Sequence, residues 1–318
     1  MYTHVQLIAY VTKTLTPFVP ADPHQSSMKS GKEEVDLKSE LLLRSWYMQR
    51  VIDFCWKTFS PALGGANTMK IFLAPEFYFR SSIGLDTPVS HYPSHQVMGA
   101  MADLSKAYDE VRFDDWLFIT GTAVSSFVVS NGSGILNAIH GFYREQARQE
   151  HFLCNKSYFS AIDNLKAEMN ASNLAPLLAT VSNQVFTYGG RRIGIEICLD
   201  HTALHYGTVG VLRNEIINNR MQYVDVHLLV ACGSPVRDTS LAARGGGYLF
   251  RCDGHPGYLG AEVWKTSFNN PRREHPPRYV YPNKTAEKLT KVEILPAELQ
   301  IAGKNQQDFV AISNPLPL

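Results

Sequence analysis

Residues 184–200 read QVFTYGGRRIGIEICLD, and their pattern gives two β-strands joined by a tight turn. Tyr188-Gly189-Gly190-Arg191 is the turn: two glycines between apolar and β-branched runs are a strong hairpin signal. The second strand closes on Cys198, and Leu199-Asp200-His201 leads into helix-forming residues. Downstream, Val209, Leu212 and Ile216 keep helical spacing, then VDVHLLVA (224–231), GGGYLFRC (245–252) and AEVWKTS (261–267) read as strands. Upstream, DWLFITGTAV (115–124), GILNAIHGFY (134–143) and HFLCNK (151–156) are successive β segments with no helix between them. Earlier still, a strand at Val5–Val11, a helix from about Leu37 to Phe59, the strand KIFLAPE (70–76) and a helix marked by Val97, Met101, Leu104 and Tyr108 alternate. Strands interleaved with helices mean an α/β chain whose sheets are covered by helices. The helix-free run between Trp116 and Lys156 argues against a simple doubly wound sheet, and two sheets between helix layers fit it better.

Composition sets outer bounds. The 318 residues carry 30 Lys and Arg against 29 Asp and Glu, a net charge of +1, so no global field draws the chain to nucleic acid or to an anionic membrane. No apolar run approaches a membrane span, and the start, MYTHVQLIAYVT, lacks the basic region and cleavage site of a signal peptide. Five scattered cysteines without a CxxC pair speak against a disulfide framework or structural zinc and for a reducing, cytoplasmic compartment. One domain over 1–318 is expected, with a polar insertion near 17–36 and a Pro-rich tail from about Asn269 that holds one strand, LTKVEIL (289–295).

Three segments carry chemistry. Cys198 at a strand-to-helix turn would project its thiol beyond the sheet, with following backbone N–H groups aimed at the same space. Those groups favour a thiolate and can hold an oxyanion; the alternative is a buried apolar cysteine, as Cys55 in the first helix reads. Glu76, in LAPEFYFR (73–80), ends an apolar strand and precedes three aromatics, surroundings that suit proton transfer better than a solvated carboxylate would. Lys156, in FLCNKSYF (152–159), also ends a strand; a lone strand-terminal lysine is usually solvated. Together, acid, amine and thiol at three strand ends supply a base, a fixed positive charge and a nucleophile for acyl transfer.

This set resembles the nitrilase superfamily of carbon–nitrogen hydrolases, whose members carry Glu, Lys and Cys in this order at three strand ends. APEFYF looks like the family's glutamate motif, NKSYF like its lysine motif and GIEICLD like its cysteine motif, over about residues 5 to 267. The resemblance implies an α-β-β-α sandwich, Glu76, Lys156 and Cys198 as catalytic residues, Leu199, Asp200 and Glu196 around the oxyanion site, no cofactor, and a homo-oligomer. It also implies hydrolysis of a small-molecule non-peptide carbon–nitrogen bond. Leu199-Asp200 resembles the amidase side of the family; a nitrilase with the same triad, or a catalytically silent binding protein, are the alternatives.

The chain departs from the family pattern in three ways. His201-Thr202-Ala203 stands where an arginine and an aromatic-proline pair are usual. The second acid has three candidates, Asp163, Glu168 and Glu196, of which Glu196 lies two residues before Cys198 and so on the same strand face. The loops near 17–36 and 81–95 are long and follow strands that should border the site, as lids or as surface insertions. Phe77, Tyr78, His91, His201 and Ser234 are pocket candidates. His91/His95 and His201/His205 share metal-ligand spacing, but eleven histidines make such pairs expected by chance, and the reading is no metal. Gly245-Gly246-Gly247 precedes a strand, so it is no phosphate cradle.

Overall fold

The computed structural model describes residues 1–15, 37–81, 91–129, 132–158, 184–202, 209–268, 283–294 and 308–318. The 17–36 loop, together with residues 82–90, Asp163, Glu168 and His205, lies outside the described residues.

Two mixed sheets and three α-helices make up the described α/β fold. In the first sheet, β1 (His4–Val11), β2 (Thr68–Leu73) and β4 (Trp116–Val129) run parallel; β5 (Gly132–Glu145) and β6 (Arg148–Asn155) follow antiparallel to their neighbours. The short β3 (Tyr92–Pro93) pairs with β4. The second sheet holds the predicted hairpin, β7 (Val185–Tyr188) and β8 (Arg191–Ile197), then β9 (Val224–Ala231), β10 (Ala243–Asp253), β11 (Gly260–Ser267) and β12 (Asn283–Ala286). Gly189 and Gly190 both take positive φ, 55° and 76°, as the two-residue turn requires.

Period-two alternation divides the side chains between cores. On β1, Val5, Leu7, Ala9 and Val11 face the second sheet, packing with Ile193, Ile195 and Ile197 of β8 and Val226, Leu228 and Val230 of β9. Ile8 and Tyr10 face the other way, against α1 (Leu37–Phe59) and α2 (Ser94–Lys106). A third cluster seats α3 (Val211–Asn218) on the outer side of the second sheet through Leu212, Ile216 and Val224. A one-residue register slip would invert every one of these faces, which is why the pairing is firmly set.

The C-terminal stretch departs from expectation. It is no peripheral tail: β14 (Asp308–Ser313) lies in the first sheet between β13 (Leu289–Ile294) and β1, and β15 (Leu316–Pro317) pairs with β1 as well. Val310 and Ala311 are fully buried. A six-residue strand between Gln-rich and Pro-rich flanks gives too short a pattern to register, whereas its antiparallel pairing with a central strand decides its fate.

Strand direction places the site. β2, β4 and β6 point the same way, and so do β8, β9 and β10, so the segments carrying Glu76, Lys156 and Cys198 all leave carboxyl ends of strands. The two ends meet where the Glu76 N–H donates to Ala231 O at the end of β9, at 3.3 Å.

Candidate active site

Glu76 and Lys156 come from the first sheet. Past β2 the chain turns sharply, with Phe77 in the left-handed region at φ 63°, a costly conformation for an aromatic residue. The Phe77 N–H donates to Thr122 Oγ1 at 2.8 Å, which offsets part of that strain. Lys156 follows β6 directly, its N–H donating to Asn137 O at 2.9 Å. Its Nζ then reaches Glu76 Oε1 at 2.7 Å, and Asn137 Nδ2 donates to the same oxygen at 2.9 Å. Both charged side chains are 0% exposed. Removing two charges from water costs several kcal/mol apiece, so such a pair is weak evidence of stabilisation and persists only with close geometry.

Cys198 comes from the second sheet. It opens a one-turn 3₁₀ segment, Cys198–His201, at φ 47°. Its thiol donates to Cys232 O at 3.6 Å, beside the Ala231 carbonyl that accepts the Glu76 N–H. Burial and then the Glu76 charge push the thiol well above its usual range, and Lys156 only partly opposes them. Cys198 therefore rests as a protonated thiol facing a carboxylate that can accept its proton. Its carbonyl oxygen accepts from Ser234 Oγ at 3.1 Å. Two residues on, Asp200 accepts the Ser157 and Tyr158 N–H groups at 2.9 and 2.8 Å, tying the cysteine turn to the residues that follow Lys156. Burial nevertheless holds the Asp200 carboxyl above its usual range.

Strand periodicity placed Glu196 on the face of the Cys198 thiol, and the structure places it on the opposite side. Ile195 and Ile197 face the inter-sheet core, so Glu196 points the opposite way, toward α3. Cys198 would share that face if the strand continued, but β8 ends at Ile197 and the positive φ swings the thiol into the inter-sheet core. Glu196 is fully buried. Its Oε1 accepts the Leu212 N–H at 2.8 Å; its Oε2 meets His201 Nδ1 at 2.7 Å and His227 Nε2 at 2.9 Å. Burial raises the carboxyl, but the two imidazoles outweigh it and bring it down to about 2.

These three side chains offer ligand atoms within 4.8 Å of one another, the spacing of a metal centre. Their hydrogen bonds point to a different use. His201 Nε2 accepts the Arg237 N–H at 3.1 Å and His227 Nδ1 accepts the Ala242 N–H at 3.2 Å. Each neutral ring then carries its proton on the nitrogen that faces Glu196, leaving no lone pair there for a cation. Burial lowers the His201 pKa, consistent with a neutral ring.

The pocket candidates separate. Phe77 lies beside the triad, its ring centroid 5.5 Å from Lys156 Nζ, and Ser234 supports Cys198. Tyr78 instead enters the helix-side core, its hydroxyl donating to Arg44 O at 3.2 Å. His201 is fully buried with both ring nitrogens engaged, so it lines no open pocket. His91 is half-buried near Arg80, and burial lowers its pKa. Leu199 is partly exposed at the turn. A cavity of about 440 Å³ between α2 and strands β5–β6, lined by Met98, Met101, His140 and Phe152, contains none of the triad.

Sequence reading passed over Asn137, His227, Arg251 and Asp253. Asp253 accepts the Gly233 N–H at 2.9 Å and pairs with Arg251, whose Nε donates to Ser234 O at 2.8 Å; both therefore hold the loop that supports Cys198. Asn137 and His227 each interrupt an apolar strand, and a polar residue in such a place was the available signal.

No family model and no curated protein matches the chain. Among solved structures it is similar to a glutamine-dependent NAD+ synthetase from Acinetobacter baumannii, at 10% identity and TM-score 0.38, over 96% of this chain and 45% of that one. A CN-hydrolase superfamily protein from Xanthomonas campestris with an arsenic adduct in its active site is 11% identical, TM-score 0.34, over 90% and 87%. An N-terminal amidase with a Gln-Val peptide is 12% identical, TM-score 0.35, over 72% and 48%. The chain thus spans about half the length of two of these three proteins. At these values the likeness assigns neither a family nor an activity.

Proposed function

We propose that this chain is a carbon–nitrogen hydrolase on a nitrilase-type α-β-β-α sandwich, acting on amide-type small molecules through a cysteine thioester. The observation that carries the reading is the convergence of Glu76, Lys156 and Cys198 from three strand ends: Lys156 holds the Glu76 carboxylate at 2.7 Å, while the Glu76 N–H and the Cys198 thiol reach the adjacent carbonyls of Ala231 and Cys232. In this reading the Cys198 sulfur attacks the substrate carbonyl while its proton passes to Glu76. Lys156 and the Leu199 N–H stabilise the oxyanion. Glu76 then gives that proton to the departing amine, leaving an acyl-thioester. Water next attacks the thioester, Glu76 takes the water's proton, and that proton returns to the thiolate as the acid leaves. Burial suits this scheme, because the thiol stays protonated until substrate excludes water and attack begins.

The test is a screen of small amides, nitriles and N-carbamoyl compounds for ammonia release, followed by intact-mass measurement after acid quench. An acyl adduct on the wild type and none on Cys198→Ala is the expected result. Turnover by a folded Cys198→Ala protein would overturn the reading. Hydrolysis of nitriles but not of the matching amides would shift it to a nitrilase.

A further inference from the structure

We propose that Glu196, His201 and His227 are a positioning set, which fixes the turn carrying Cys198 and affects the reaction only through that turn. The inference rests on Cys198 being the nucleophile, and it concerns residues that touch neither thiol nor substrate.

Cys198 at φ 47° is a non-glycine residue in the left-handed region, and such a conformation persists only where its surroundings over-determine it. Each end of the Cys198–His201 turn is held by a different partner. Ser234 Oγ binds Cys198 O at the start, while Asp200 clamps Ser157 and Tyr158. At the end, His201 bonds Glu196 of β8 and the Arg237 N–H of the following loop. Glu196 extends the hold to the first turn of α3 through Leu212, and to β9 and Ala242 through His227. One carboxylate thus joins the strand before the nucleophile, the turn after it, the next helix and the next strand.

The donors and acceptors match in one arrangement only. Leu212, His201 and His227 offer three N–H groups to one carboxylate, and Arg237 and Ala242 offer two more to the outer ring nitrogens. Flipping either imidazole tautomer would set N–H against the backbone N–H at its outer end and a lone pair against the carboxylate at its inner end. The charged and titratable groups around His201 are Glu196, the neutral His227 ring and Lys284, the last paired with Asp238 at 2.7 Å; Asp200 lies on Glu196's side of the turn. A displaced turn would move the thiol and the Leu199 N–H together, and a shift of about 1 Å in a reacting group can cost about a hundredfold in rate.

Three measurements test this. First, nitrogen NMR of the intact wild-type protein near neutral pH should show His201 as the Nδ1–H tautomer and His227 as the Nε2–H tautomer. Either ring in the opposite tautomer would overturn the set, whatever the variants do. Second, His201→Phe should lower kcat by about tenfold to a hundredfold with little change in KM, and should slow alkylation of Cys198 by iodoacetamide alongside. Third, His201→Asn, whose amide can donate to Glu196 in place of Nδ1, should recover part of both losses. A folded His201→Phe protein with wild-type kcat and alkylation rate would sink the proposal, as would a change in KM alone or an Asn variant no better than Phe. Alkylation and tautomer are read without turnover, so loss of the nucleophile reading, seen as an active Cys198→Ala, is distinguishable from loss of this one.

Discussion

Glu76 and Lys156 face each other at 2.7 Å with no solvent contact. Asn137 adds a donor to the carboxylate, but a neutral amide cannot replace an ammonium. Removing one member of such a pair strands the other, which costs about 3–5 kcal/mol, whereas removing both charges together is often neutral. Lys156→Met should therefore unfold at lower urea concentration by that margin, and Glu76→Gln combined with Lys156→Met should restore most of it. In the proposed mechanism both proteins are inactive, the single variant by at least about a hundredfold because it would lose an oxyanion donor. If Lys156→Met were as stable as wild type, the pair would not be a buried ion pair in solution. This separates a structural cost from a catalytic one, which activity assays on the single variant alone would confuse.

At the level of elements, the strand ends and the two-glycine hairpin were legible, and the turns that follow the strand ends were not. APEFYF, NKSYF and GIEICLD announce Glu76, Lys156 and Cys198 because a reactive residue closing an apolar strand breaks its pattern, and each indeed leaves a strand end. The faces were lost wherever the backbone departs from strand geometry, as at Cys198, because period-two reasoning holds only while φ stays extended. β14 was lost for another reason, that the central strand it pairs with is some 300 residues away in sequence: Ile312 pairs with Ile8. Gly121 shows how an irregular element supports the site. It sits at the irregularity in β4 between Ile119 and Thr122, at φ 90°, and an added Cβ would lie 2.5 Å from Pro75 O and 2.8 Å from Tyr78 Cβ. Gly121→Ala should cost at least about 1–3 kcal/mol from the backbone alone and lower kcat by displacing the segment that carries Glu76. Gly99→Ala is the control: nothing approaches its Cβ position on α2, and the change should stabilise by about 0.5–1 kcal/mol with activity unchanged. Equal stability of the two variants, by thermal melting, would mean that β4 relaxes around residue 121.

Across the described residues two sheets share one apolar core, and no described helix is long and apolar enough to cross a membrane. What joins the second sheet to its outer helix includes a buried charge, and that gives the fold a pH signature. Glu196 holds its proton only below about 2 in the folded chain, against a usual 4.5. A depressed carboxyl contributes stability that is complete above the unfolded value and is lost as pH falls through the folded one. The window is therefore from about 5 down to 2, and the size is roughly 3 kcal/mol at one pKa unit per about 1.4 kcal/mol. His201 acts in the same direction at higher pH: its lowered pKa means that the unfolded chain takes up a proton first, so stability falls as pH drops below the usual 6.5. Asp200 and Asp253, both raised by burial, work the other way, since acid relieves the cost of their charge. The net acid curve therefore mixes signs, and a difference measurement isolates Glu196. In Glu196→Gln, an amide N–H₂ must face either the Leu212 N–H or the two imidazole N–H groups, so the variant should be less stable at neutral pH. Urea titrations at successive pH values should show the gap between wild type and Glu196→Gln widest above pH 5 and closing toward pH 2, as the wild-type carboxylate takes up its proton. A gap that stays constant over that range would mean that Glu196 is not held ionised by its two histidines.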